Sequence, residues 1–413
     1  MQLQSLIQKY VKSANNFSLL LVLLSSTALT GCSAFEGIKD GAQNLVGSIL
    51  GIDSSSEPPA ELIEYKPEIA LTVLWKEQIG VGKNQQSLKL NLALNADKLF
   101  VADREGLVQA RSSESGQLLW EISSDFPFSA GPALGENTLI LGSSDARVVA
   151  FNESNGQTLW TATVSSEVLA TPVVAQGLVI IRTTDGVLTA LDEKTGQQRW
   201  IFQESVPPLT LRGIGKPLIV KNHLIAGFAN GKLVALELAT GKNLWEATVA
   251  MPSGRSEVER LVDLAIDPIE IEGIVYISSY HGGTSAAIAE DGNMLWRNEQ
   301  LSSASGLSSD WRHLYLSDIE SNVWQIDQRT GSTLWKQHEL HFRSLSAPMA
   351  YQEYVVVGDF EGYLHWLSRS DGRQLARVKI ADAGLDSKPV AADDIIYVYA
   401  KDGTLAAIKA KVI

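Results

Sequence analysis

The stretch Gly186-Val187-Leu188-Thr189-Ala190-Leu191-Asp192-Glu193-Lys194-Thr195-Gly196-Gln197-Gln198-Arg199-Trp200 decides the fold. Its first half alternates apolar and small or polar side chains, the period-2 pattern of a strand with one buried face. Thr195-Gly196 then makes a tight turn, where a residue without Cβ takes positive φ at no steric cost. A second strand follows and carries Trp200. The same frame returns at Gly106/Ala110/Gly116/Trp120, Ala146/Ala150/Gly156/Trp160, Gly231/Ala235/Gly241/Trp245, Gly282/Ala286/Gly292/Trp296 and Ser321/Gln325/Gly331/Trp335. At Gly362/Trp366/Gly372/Ala376 it returns with the aromatic and small positions exchanged.

An eighth copy is divided between the two ends of the chain. Gly403, Leu405, Ala407 and Ile408 form a first half with no Trp after it, and Leu74-Trp75 form an ending with no first half before it. A circle accounts for both. Repeats of about 40 to 50 residues are the period of β-propeller blades, each a four-stranded antiparallel sheet. The expected fold is therefore all-β: an eight-bladed β-propeller over residues 67–413, closed by pairing of its N- and C-terminal strands. The recurring Trp is read as core, a large ring filling the wedge between neighbouring blades while the small Ala opposite leaves it room.

Ahead of the ring, Lys9 and Lys12 precede an apolar run from Phe17 to Leu24, and Leu29-Thr30-Gly31-Cys32 follows. This is the layout of a signal peptide over residues 1–31, with an apolar run too short to span a bilayer. The Leu-Thr-Gly-Cys ending resembles a bacterial lipobox, which makes Cys32, the only cysteine among 413 residues, the expected lipidation site. Ser33 in place of Asp implies the periplasmic face of a Gram-negative outer membrane. Residues 32–66, rich in Gly, Ser and acids, are read as a flexible tether. The formal net charge of −13 becomes more negative once Lys9 and Lys12 are removed, and such a surface repels nucleic acid.

No catalytic constellation appears in the sequence. His338 and His341 lack the i, i+4 spacing of two zinc ligands on one helix face and are read as loop residues. Asp263, Asp267, Glu270 and Glu272 do not follow a calcium-loop spacing and are read as a solvated acidic face. There is no Gly-x-Ser-x-Gly elbow, no Walker A sequence and no dinucleotide fingerprint. The Ala-x-x-x-x-Thr-Gly-x-x-x-Trp repeat does resemble that of quinoprotein alcohol dehydrogenases, which bind pyrroloquinoline quinone on the propeller axis. Those enzymes often stack an adjacent-cysteine disulfide on the quinone, whereas this chain has Cys32 alone. Such a dehydrogenase, or another periplasmic binding propeller, is the alternative reading; the main one is non-enzymatic and without cofactor.

The repeat is irregular at two consecutive connections. Short steps lead from Trp120 to Pro132, Trp160 to Pro172 and Trp335 to Pro348, but longer ones from Trp200 to Pro217 and from Trp245 to Pro268. Equivalent connections emerge on one face of a propeller, so the two insertions are expected to be neighbours and to build a binding surface. The first presents Leu209, Leu211 and Arg212, an apolar anchor beside a charge. The second, Ser253 to Asp267, is read as an acidic turn with Asp263 as a rim charge.

Four stretches resemble the BamB family of outer-membrane lipoproteins. They are Leu209-Thr210-Leu211-Arg212-Gly213, Glu257-Val258-Glu259-Arg260-Leu261 with Asp263, Gly358-Asp359-Phe360-Glu361-Gly362-Tyr363-Leu364-His365-Trp366, and Ala400-Lys401-Asp402-Gly403-Thr404. The resemblance implies a scaffold of the β-barrel assembly (BAM) complex that docks on the periplasmic POTRA domains of BamA. It also implies a role in assembly and membrane insertion of β-barrel proteins, with unfolded outer-membrane proteins as clients. It assigns the BamA contacts to Leu209, Leu211, Arg212 and Asp263. Ala265 departs from the family, which often has a second Asp there.

Overall fold

A computed structural model describes residues 57–84, 86–211 and 214–412. Cys32 and the signal peptide, like Arg212, lie outside the described residues. Eight sheets follow one another: blade 1 (Ala93–Ser123), blade 2 (Phe128–Thr163), blade 3 (Val173–Gln203), blade 4 (Leu218–Thr248), blade 5 (Ile269–Asn298), blade 6 (Leu307–Gln337), blade 7 (Met349–Lys379) and blade 8. Within each, four strands pair antiparallel, in sequence order in blades 1 to 7, and no helix occurs among the described residues. Blade 2 carries one addition, Lys89–Leu90, paired parallel to its innermost strand.

Blade 8 closes the circle as the divided motif requires. Three strands come from the C-terminal end, and Ile69–Gln78 supplies the fourth, antiparallel to Thr404–Val412. Trp75 lies opposite Ala407, the partnership that Trp200 has with Ala190. A register shift recurs beside the Trp in every blade, so the bulge belongs to the motif and lets the large ring turn towards the next blade.

The core runs between blades. Middle strands such as Leu178–Arg182 and Val187–Asp192 are buried almost throughout, whereas outer strands such as Gln198–Gln203 alternate with solvent. Each outer-strand Trp lies over the turn glycine of the following blade: a Cβ on Gly241 would stand 2.6 Å from the Trp200 ring. The indole N–H completes the contact by donating to a backbone carbonyl of that blade, Trp200 to Leu238 at 3.0 Å and Trp160 to Glu193 at 2.8 Å. Trp75, Trp120, Trp245, Trp296 and Trp335 repeat this bond. The wedge role expected for the Trp is observed, with a hydrogen bond added.

The junction of blades 7 and 8 is built otherwise. Blade 8 has no turn between its last two strands, because those strands come from opposite ends of the chain, so no turn glycine awaits a Trp. Ala376 occupies the outer position, and Trp366, paired with it and fully buried, fills the wedge from within the blade. Its indole nitrogen has no hydrogen-bond partner. Within the stretch expected to be tether, residues from Ala60 onward already bond to the ring: Ala60 N–H donates to the His341 carbonyl and Arg377 donates to that of Ile63; at the start of the expected ring, Glu68 N–H donates to that of Leu375. Glu68 also pairs with Arg373 at 2.9 Å.

Candidate docking surface

The two insertions meet, as equivalent connections on one face must. The Leu211 N–H donates to Oδ1 of Asp263 at 2.8 Å, and the Lys216 N–H donates to Oδ1 of Asp267, also at 2.8 Å. Gly215 lies so close to the second insertion that a Cβ there would stand 2.0 Å from the Ile266 carbonyl oxygen. Two carboxylates thus tie the loop before blade 4 to the loop before blade 5. Beneath them Arg182, buried at the end of the second strand of blade 3, donates from Nη1 to the Gly215 carbonyl at 2.9 Å and lies over the Phe228 ring. Burial pulls the Arg182 guanidinium down to about 10, with Asp267 and Asp263 acting in the opposite sense.

Asp263 is the clearest correction to the sequence reading. It is not a rim charge or part of a solvated acidic face: its relative exposure is 2%. Burial raises its carboxyl to about 6, while the Leu211 bond and the charge of Arg182 work against that rise. Its second oxygen is buried without a hydrogen-bond partner. An unmatched acceptor in a dry site makes the ionised form costly, and the compensation is the fixed path of the Leu211 loop. Asp267 likewise serves its neighbour, whereas Glu270 keeps the solvated place expected for it and accepts from the Gly273 N–H.

Held in this way, the first insertion presents Val206 and Leu209 as exposed apolar side chains. Leu211 lines the wall of a cleft of about 230 Å³, with Thr210, Ile214, Phe228, Asp263 and Leu264. The second insertion closes its exposed part with a single turn, in which Ser256 Oγ accepts from the Glu259 N–H and the Glu259 carboxylate accepts from the Ser256 N–H. This reciprocal pair is a capping box without a helix behind it. Ala265 is buried at the edge of the cleft. His338 and His341 lie in a turn, as expected.

The sequence reading missed Arg182. Its signal is positional: the residues aligned with it at the ends of second strands are small at Ala102, Gly227, Ser278, Ser317 and Gly358, with Tyr399 of blade 8 the other large one. The Gly-Tyr-Leu-His-Trp run has a structural part instead. His365 and Asp359 are fully buried and joined at 3.0 Å, Arg343 donates to the same carboxylate oxygen at 2.9 Å, and Arg343 Nη1 reaches the Ala60 carbonyl.

Comparison with known proteins agrees with this architecture. The family model described as "Outer membrane protein assembly factor BamB" matches residues 104–337 and 326–412. The chain belongs to the BamB family. It is 45% identical over 363 residues to the outer membrane protein assembly factor BamB of Pseudomonas aeruginosa, covering 87% of this chain and 95% of that protein. To the BamB of Escherichia coli K12 it is 34% identical over 396 residues, 94% of this chain and 97% of that one. The crystal structure of BamB from Moraxella catarrhalis superposes with a TM-score of 0.75 at 24% identity, covering 82% of this chain and all of the other. A quinohemoprotein alcohol dehydrogenase from Comamonas testosteroni reaches 0.63 at 13% identity over 82% of this chain and 76% of its own, which is a likeness of fold alone. BamB relatives are assembly factors, and the enzyme reading gives way to theirs.

Proposed function

We propose that this chain is a lipid-anchored, non-enzymatic scaffold of the BAM complex, held at the periplasmic face of the outer membrane through Cys32. In this reading it docks on the POTRA domains of BamA and supports assembly of β-barrel proteins. The observation that carries the docking assignment is the bond from Leu211 N–H to the buried Asp263. It stiffens an otherwise irregular loop around an exposed apolar side chain, Leu209. A rigid anchor loses little conformational entropy on binding, which is what an interface hot spot needs. Leu209, Leu211 and Arg212 make the contact, and Asp263 acts through the loop it holds.

Titration of purified POTRA domains, with thermal melts of each variant, tests this. Leu211→Ala and Arg212→Ala each weaken binding by about 1 to 3 kcal/mol with nearly unchanged melting. Asp263→Ala weakens binding with little dependence on salt, because a buried strut is not screened as a rim charge is. Full affinity in the Leu211/Arg212 double variant removes this surface from contention. For the anchor, Cys32→Ser must release the protein from the membrane fraction, since stable attachment takes more than one acyl chain.

A further inference from the structure

The residues that lead into the innermost strands of several blades converge on the ring axis and enclose a funnel of about 820 Å³. Leu88, Leu169, Leu218, Ile269, Leu307 and Leu345 give it an apolar wall, and Lys83, Lys89, Lys216 and Lys388 also line it. This volume falls in the range of small-molecule sites, typically about 300 to 1,000 Å³.

The charges in the wall are unequally committed. Asp318 accepts from the Asn322 N–H and the Trp324 indole at 2.8 and 2.7 Å. Asp386 pairs with Lys83 at 2.6 Å and with Lys401 at 3.7 Å. Glu270 is tied to the Gly273 N–H, and one oxygen of Asp267 to the Lys216 N–H. By contrast, the ammonium groups of Lys89 and Lys216 have neither a hydrogen bond nor an ion pair among the described residues, and Lys388 Nζ donates only to the Leu307 carbonyl at 3.0 Å. The lysines also act on one another. Burial lowers Lys83 despite Asp386, and Lys401 and Lys89 push the same way. Loss of water lowers Lys388, with Asp267 opposing and Lys216 pushing the same way as burial. Asp267, Glu270, Asp318 and Asp386 keep their charge in the wall, but none lies within ion-pair distance of Lys89, Lys216 or Lys388, so three ammonium groups without a carboxylate partner among the described residues are placed in an apolar-walled cavity to receive an anionic head.

We propose that the axial funnel is a binding site for a small amphiphilic anion, a carboxylate or phosphate on an apolar body, with Lys89, Lys216 and Lys388 receiving the charged head and the leucine wall the body. The funnel adjoins the docking cleft at Ala265, which lines both, but the two present different side chains: Lys216 and Asp267 line the funnel, while Leu211 and Asp263 line the cleft.

Calorimetric titration of the full-length chain with decanoate, decyl phosphate, inorganic phosphate and uncharged decyl maltoside tests it. Decanoate or decyl phosphate should bind saturably at one site per chain, at least tenfold more tightly than decyl maltoside or inorganic phosphate. The better of the two identifies the head group. In Lys216→Gln/Lys388→Gln the preferred anion should bind at least tenfold more weakly, with the melting temperature retained, and Leu211→Ala should bind it as the parent does. Equal binding of the anions and decyl maltoside, no saturable anion binding, or an unchanged affinity in the double lysine variant overturns the proposal. None of these readouts involves BamA, so failure here leaves the docking surface standing.

Discussion

Seven junctions of the ring are made by one device, a Trp laid on the next blade's turn, and the eighth, between blades 7 and 8, has no turn to receive one. The contrast shows what the Trp is for. Where a turn with its glycine is present, the ring packs on it and the indole N–H finds a carbonyl. Where blade 8 has no such turn, the outer position is Ala376 and the aromatic moves inward to Trp366, which keeps the wedge filled but leaves its N–H without a partner. The chain ahead of Ile69 bridges to blade 7 instead, with the Glu68 N–H donating to the Leu375 carbonyl. Volume is required at all eight junctions, the hydrogen bond only at seven.

This contrast can be broken most directly by removing residues 403–413. Two strands of blade 8 then lose their shared neighbour and expose unpaired edges. The expected outcome is loss of a cooperative melt together with aggregation; a truncated chain melting cooperatively at the parental temperature would show that the ring does not depend on this closure. Next in size is Trp200→Ala, expected to cost roughly 3 to 5 kcal/mol by leaving a cavity between blades 3 and 4. The sharper comparison uses Phe: Trp200→Phe gives up a bond worth about 1 kcal/mol, whereas Trp366→Phe gives up an N–H that has no partner. Denaturant titrations should find the first more costly than the second, and equal costs would mean that the indole bond contributes nothing.

A pH series separates the ring from what is built on it. Asp263 has a folded-state pKa of about 6 against an ordinary 3.8, so between these values the native state binds a proton that the unfolded chain does not. Stability conferred by this group therefore rises on acidification from neutral pH and levels off below its unfolded value, a gain of roughly 2 to 3 kcal/mol. Asp263→Asn keeps an oxygen for the Leu211 N–H and carries no titrating proton. The parent should gain on it across that window; parallel curves would mean that Asp263 is not buried in solution. The smallest effect is expected for Glu68→Gln, which removes a half-exposed ion pair with Arg373 and should leave the denaturation midpoint essentially unchanged. A clear loss would assign to that pair a share in holding blades 7 and 8 together.

The blade count, the closure and the Trp wedge were legible because each rests on local spacing: Gly196 and Trp200 recur in a fixed frame, and Leu74-Trp75 completes the copy begun at Gly403. The adjacency of the two insertions was legible by symmetry. The state of Asp263 was not, since nothing near Ser253 to Asp267 says which carboxylate turns inward beneath Leu211 and which faces water. The funnel was equally hidden: Lys83 and Lys89, Lys216, and Lys388 come from three distant parts of the chain and converge only because successive connections point at one axis. Residues 60–66 read as linker by composition, yet Arg343 and Arg377 on the ring receive Ala60 and Ile63, and Arg373 receives Glu68 just beyond them.

Those three arginines have a mechanical meaning. A pull on the chain from its N-terminal side meets Ala60, Ile63 and Glu68 first, each fastened to the ring ahead of Ile69. Each of these fastenings must give way before tension reaches the strand that completes the circle. They act as a strain relief does on a cable, keeping tension off the connection itself.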